Sequence, residues 1–122
     1  MKRILFIEDE KALQKTLTKT LQASGFEVIN AYDGEEGLAL AQKEAPDLIL
    51  LDVILPKLNG REVLERLKAG KTTKDIPVIM LTNLDTAEEV EHAVGHGATM
   101  YLVKANYELN DIVGKVKEIL SL

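Results

Sequence analysis

Residues 48–60 read LILLDVILPKLNG. Four apolar residues, Leu48 to Leu51, lead straight into a carboxylate at Asp52, and more apolar residues follow. A run that is apolar throughout, with no polar alternation, is how a strand covered on both faces reads. A carboxylate at its end is costly to bury unless it is paired, hydrogen-bonded or bound to a cation. Fold and function both turn on what else the chain can bring beside Asp52.

Similar short runs recur at 4–7 (ILFI), 78–81 (VIML) and 100–103 (MYLV). A fifth, FEVINA at 26–31, carries Glu27 and Asn30 and reads as a less covered edge strand. Amphipathic stretches lie between the strands. Leu13, Leu17 and Leu21 share one face of a helix over about 10–24, with Gly25 as its stop. Asp33 with Glu36, Asn59 with Glu62 and Thr86 with Glu89 have the spacing of capping pairs at helix starts. Gly70 and Gly97 follow the third and fourth helices, and Leu109, Ile112, Val113, Val116, Ile119 and Leu120 give the last helix a core-facing stripe. Strand–helix alternation of this kind predicts an α/β fold. It is a doubly wound (βα)5 parallel five-stranded sheet of strand order 2-1-3-4-5, the flavodoxin-like arrangement, over one domain spanning 1–122.

Bulk properties bound the function. The 122 residues are 46% hydrophobic and 29% charged, which suits a globular domain. A formal charge of −5 argues against a nucleic-acid surface. No apolar run approaches a membrane span. The apolar stretch in MKRILFIEDE is too short for a signal peptide, and there is no cysteine, so a cytoplasmic protein is expected.

Ligands of such sheets bind beyond the carboxyl ends of the strands, where the strand order reverses. Strand 1 ends in Glu8 and Asp9, strand 3 in Asp52, strand 4 in Thr82 and strand 5 in Lys104. Taken singly, each has an ordinary reading as a turn, cap or surface residue. Taken together they place three carboxylates, an ammonium and a hydroxyl on one sheet edge. Such carboxylates repel unless a cation intervenes, and Mg²⁺ suits one or two carboxylates plus water and phosphate oxygens. Lys104 can hold a phosphoryl oxygen as a point charge, Thr82 can donate to another, and an Asp carboxylate can itself be the nucleophile in phosphoryl transfer.

With IEDE, LLDVILPKLNG, VIMLTN and YLVK in this order and spacing, the whole chain resembles the receiver domain of two-component response regulators. The same strand order is found in flavodoxin and in a chemotaxis regulator of that family. The resemblance implies that Asp52 is the phosphoacceptor. Asp9 and Glu8 become the acids that hold Mg²⁺, Asp9 directly and Glu8 through water, and the Ile54 carbonyl becomes a further ligand. Thr82 and Lys104 match the family's hydroxyl and lysine, and Tyr101 its switch aromatic. Without the resemblance, Tyr101 is an ordinary strand tyrosine with a wet hydroxyl. The implied activity is phosphorelay signalling. The domain is a phosphoacceptor that assists its own phosphorylation and dephosphorylation rather than an enzyme acting on a separate substrate. Its implied partners are a sensor histidine kinase or phosphotransfer protein, and an output protein or a C-terminal output domain missing from this chain. The sequence departs from the family at Ala105, where proline usually follows the lysine, and at Asn83, where a small residue is usual. Ile54 and Leu84 are apolar beside the phosphoryl site. A small-molecule phosphohydrolase would commonly need a second acid two residues after the nucleophile, where Ile54 stands. His92 and His96, at i and i+4, have no evident third ligand and read as solvent-facing.

Overall fold

A computed structural model describes residues 1–122. Its elements are β1 (Arg3–Ile7), α1 (Lys11–Ala23), β2 (Glu27–Ala31), α2 (Gly34–Glu44), β3 (Leu48–Leu51), α3 (Gly60–Ala69), β4 (Val78–Thr82), α4 (Ala87–Gly95), β5 (Met100–Val103) and α5 (Leu109–Leu120). A short 3₁₀ turn at Lys104–Asn106 follows β5. The strands form one sheet of order β2-β1-β3-β4-β5, and every pairing is parallel.

The unbroken apolar runs follow from helices on both faces. Alternate residues of each strand serve different cores, because successive side chains point to opposite sides. Leu5, Ile7, Ile49, Leu51, Val78 and Met80 pack with Val63, Leu64 and Leu67 of α3 and Ala93 of α4. Ile4, Phe6, Leu48, Leu50, Ile79 and Leu81 pack with Leu17 and Leu21 of α1 and Ile112, Val113 and Val116 of α5. Every residue of β3 and β4 is buried, as expected for central strands. β2 is only partly covered, as its polar residues imply. β5 departs from its apolar reading: it is the other edge, and Leu102 alone of its four residues is buried.

The three capping residues hold their helices. Asp33, Asn59 and Thr86 accept from the amides of Glu36, Glu62 and Glu89 at 2.8, 3.0 and 3.3 Å. The glutamates do not return the bond to the cap. Glu36 Oε1 accepts from Tyr32 N, Glu62 pairs with Arg66, and Glu89 pairs with Arg61. No helix is long and apolar enough to cross a membrane.

Candidate functional site

The carboxyl edge of the sheet gathers the strand-end groups. Asp52 follows β3 directly and is 5% exposed, and Glu8 follows β1 and is 1% exposed. Asp9, next along the chain, is exposed. Glu8, Asp9 and Asp52 each offer a carboxylate oxygen within 4.8 Å of the others. Lys104 Nζ lies 2.8 Å from Asp52 Oδ2 and 2.5 Å from Glu8 Oε1. Asp52 Oδ1 accepts weakly from Ile54 N at 3.3 Å, and Glu8 Oε2 accepts from Glu10 N at 3.0 Å. Thr82, fully buried at the end of β4, accepts from Leu84 N at 3.4 Å, which leaves its own proton free to donate.

Charge at this site does not balance. One ammonium faces three carboxylates. Glu8 Oε1 is buried, and although Lys104 stands close to it as an ion pair, no donor points at it in hydrogen-bond geometry. Burial is the main cause that pushes the Glu8 carboxyl up to about 7, against the close pairing with Lys104 that lowers it. For Lys104, burial works against the charge, but the bond to Asp52 and the ion pair with Glu8 prevail and hold it above its ordinary value. All donors are hard oxygens and the unmatched charge is that of a divalent cation, so these residues fit Mg²⁺ or a similar ion.

A pH dependence follows from Glu8. Its folded value of about 7 lies above the ordinary 4.5. The folded state therefore keeps a proton that the unfolded state has already released. The resulting stability is fully present below 4.5 and is lost as pH rises through about 7. In EDTA, the thermal midpoint is expected to fall over that window, by a change in stability of at most about 3 kcal/mol. Glu8→Gln removes the dependence. If the parent and Glu8→Gln shared one pH profile in EDTA, the assignment to Glu8 would be wrong.

Two departures at β4 and β5 compensate one another. No peptide bond is cis, and Ala105, unlike a proline, presents an N–H. Asn83 Oδ1 accepts it at 3.2 Å, fastening the turn that carries Lys104 to the end of β4. Asn83 is therefore engaged with this turn. Ile54 is 60% exposed beside Asp52, whereas Leu84 is half-buried against the core. Tyr101 is also half-buried, and its hydroxyl is anchored in the protein: it donates to Leu84 O at 2.5 Å. Burial, followed by Glu89, holds the phenol above its ordinary value, so it stays a donor.

Other supports carried no periodic signal. Gln14, buried in α1, shares its two amide N–H groups among the carbonyls of Phe6, Glu8 and Ala31 and so braces the backbone at the end of β1. Gly60, the first residue of α3, donates to Val53 O at 2.7 Å and closes the 52–60 loop on itself. The histidines are not both solvent-facing. The His92 side chain is only 16% exposed, and Glu65 from α3 stands beside both rings.

Residues 4–117 match the model of the response regulator receiver domain. The chain belongs to that family, and is a signalling module rather than a classical enzyme. It is 42% identical to the alkaline phosphatase synthesis transcriptional regulatory protein PhoP of Bacillus subtilis, over 98% of this chain and 48% of PhoP. It spans about half the length of the curated relatives it matches. The chemotaxis protein CheY4 of Vibrio cholerae superposes with a TM-score of 0.89 at 31% identity, covering 97% of this chain and 98% of CheY4. Response regulator Rcp1 in its Mn²⁺-bound form superposes at 0.84 and 35% identity, covering 100% and 94%.

Proposed function

We propose that this chain is a receiver domain over 1–122 that takes a phosphoryl group on Asp52 from a sensor histidine kinase or phosphotransfer protein. The observation that carries the proposal is the unbalanced cluster of Glu8, Asp9 and Asp52 around Lys104. Asp9, Asp52 and the Ile54 carbonyl, with Glu8 behind them, would hold Mg²⁺, which would supply neutralisation of the phosphoryl charge. An Asp52 oxygen attacks phosphorus and forms a new P–O bond, and the donor's bond breaks with its electron pair leaving on the donor. Lys104 moves its charge from the carboxylate to a phosphoryl oxygen, and Thr82 donates its free proton to another. Incubation with acetyl phosphate tests this. One phosphoryl group should appear by intact mass with Mg²⁺ and none with EDTA, and equal labelling in both would defeat the metal-dependent reading.

The same groups support a switch on the face of α4, β5 and α5. Thr82 Oγ1 accepts from Leu84 N, and Leu84 O accepts from the Tyr101 hydroxyl. A pull on Thr82 is thus passed through one residue, Leu84, to the β5 aromatic. With a fluoroberyllate mimic, amide shifts in residues 82–103 should exceed those in α1 and α2. Changes spread evenly over the chain, or absent near Tyr101, would remove this switch.

The aspartyl phosphate should be long-lived. Hydrolysis needs a water in line behind phosphorus, and apolar side chains beside that approach cannot orient one. Ile54, being exposed, has the larger share, while Leu84 is partly drawn into the core. Ile54→Asn with Leu84→Glu is expected to speed decay about tenfold, or about 1.4 kcal/mol in barrier. Decay is followed in excess Mg²⁺ after the donor is removed. Parental decay in the double variant would mean that these side chains do not control access.

A further inference from the structure

Away from the acid site, α3 and α4 meet over a second cluster of ligating groups. His92 and His96 stand one turn apart on α4, with ring centroids 4.1 Å apart. Glu65 reaches them from α3: Oε2 is 3.5 Å from His92 Nε2, and Oε1 is 3.8 Å from His96 Nε2. One ligand atom from each residue lies within 4.8 Å of the others. A tetrahedral Zn²⁺ with bonds near 2.0–2.1 Å spaces its ligand atoms about 3.3 Å apart. The three groups therefore need only draw together from within 4.8 Å to reach that spacing.

The hydrogen bonding leaves this cluster unresolved. His96 Nδ1 is 2.8 Å from the His92 carbonyl, which can only accept, so the His96 proton lies on Nδ1. In the neutral ring, Nε2 is then a bare acceptor, and it faces a carboxylate oxygen that is also a bare acceptor. Two lone pairs pointed at one another call for a proton or a metal ion between them. Backbone anchoring of Nδ1–H is also the usual way a ligating histidine is oriented. His92 Nε2 is buried and makes no hydrogen bond.

We propose that Glu65, His92 and His96 form a binding site for a borderline transition-metal dication such as Zn²⁺, clamping α3 to α4. The donor set of two imidazoles and a carboxylate favours Zn²⁺ over Mg²⁺ and leaves one position for water. α4 has most to gain from such a clamp, since Ala93 is its one buried residue. Arg61 opposes it. Its Nη2 lies 3.1 Å from His92 Nδ1, and a guanidinium only donates, so the His92 proton now sits on Nε2. Binding requires that proton to move to Nδ1 and Arg61 to withdraw toward Glu89, whose Oε1 is already 3.5 Å from Nη1. The site does not depend on the phosphoryl chemistry proposed for Asp52.

The test is calorimetric titration of the unphosphorylated chain with Zn²⁺ in excess Mg²⁺, together with ring ¹⁵N shifts of the histidines. One Zn²⁺ should bind per chain and move the Nε2 resonances of both His92 and His96. His96→Gln and Glu65→Gln should each weaken binding about tenfold or more. Both residues are partly exposed, so these variants should fold. Arg61→Met should bind severalfold tighter, and weaker binding would overturn the tautomer argument. Asp9→Asn should bind as the parent does. The site is overturned if no Zn²⁺ binds, if binding survives His96→Gln, or if it is lost in Asp9→Asn.

Discussion

Asp52→Asn is expected to abolish phosphoryl uptake from acetyl phosphate in Mg²⁺, a loss on the order of a thousandfold or more. The amide has nearly the carboxylate's shape, but its oxygen lacks the charge that makes it a nucleophile. The fold should survive. Asp52 contributes one of three crowded acids, and its neutral replacement eases the repulsion that now helps raise the Glu8 carboxyl. Lys104 keeps Glu8 as its ion-pair partner. The thermal midpoint should therefore stay at or above the parent's while labelling disappears, which separates a chemical loss from unfolding. Mg²⁺ affinity should fall as well, since one donor is lost, and Asp9→Asn should lower it about tenfold or more while leaving the Asp52 carboxylate in place. An Asp52→Asn protein that gains a phosphoryl group at the parent's rate would put the acceptor elsewhere.

What could be read in the sequence, and what could not, divides along a physical line. β1, β3 and β4 are legible because both faces of each strand are buried, so Ile4, Leu5, Phe6 and Ile7 must all be apolar even though they serve two different cores. The strand ends are legible because parallel strands all present their carboxyl ends to one edge, so that residues 44 and 52 positions apart in the chain, Glu8 with Asp52 and Asp52 with Lys104, become neighbours. β5 misled, because an edge strand can be as apolar in composition as a central one. The unseen features are long-range pairings of single residues with no period of their own. Asn83 with the Ala105 amide, Glu65 with His92 and His96, and Arg61 with Glu89 each join segments whose local sequence is satisfied by a blander reading. Two of them explain apparent anomalies. Asn83 is bulky where a small residue is usual because Ala105 has an amide to satisfy, and Glu89 is tied to Arg61 instead of lying on a solvated face.

Gly60→Ala should be strongly damaging, although it adds a single methyl group. A Cβ at Gly60 would sit 1.9 Å from the Asp52 carbonyl oxygen and 2.7 Å from Val53 Cα. Both obstacles are backbone, so no flexible side chain can swing aside. Moving α3 outward would break the 2.7 Å bond from Gly60 N to Val53 O and lift Val63, Leu64 and Leu67, all fully buried, from their packing. Moving the loop instead would displace Asp52 from Lys104. On the other side, the start of α2 blocks retreat, since Gly34 lies against the Leu58 carbonyl and donates to Pro56 O. Overpacking with forced backbone movement typically costs 1–3 kcal/mol and more where it cannot relax; we expect about 3 kcal/mol or more here, a drop in thermal midpoint on the order of 10 °C. Phosphoryl uptake by the folded fraction should fall too, because the carboxylate and its amide neighbour at Ile54 ride on the displaced loop. Gly114→Ala in α5 is the control: nothing lies within 4 Å of its Cβ, so the gain in helix propensity should leave stability unchanged or raise it by about 0.5–1 kcal/mol. If Gly60→Ala and Gly114→Ala melted alike, the close approach of α3 to the Asp52 carbonyl would not be what holds Asp52 in place.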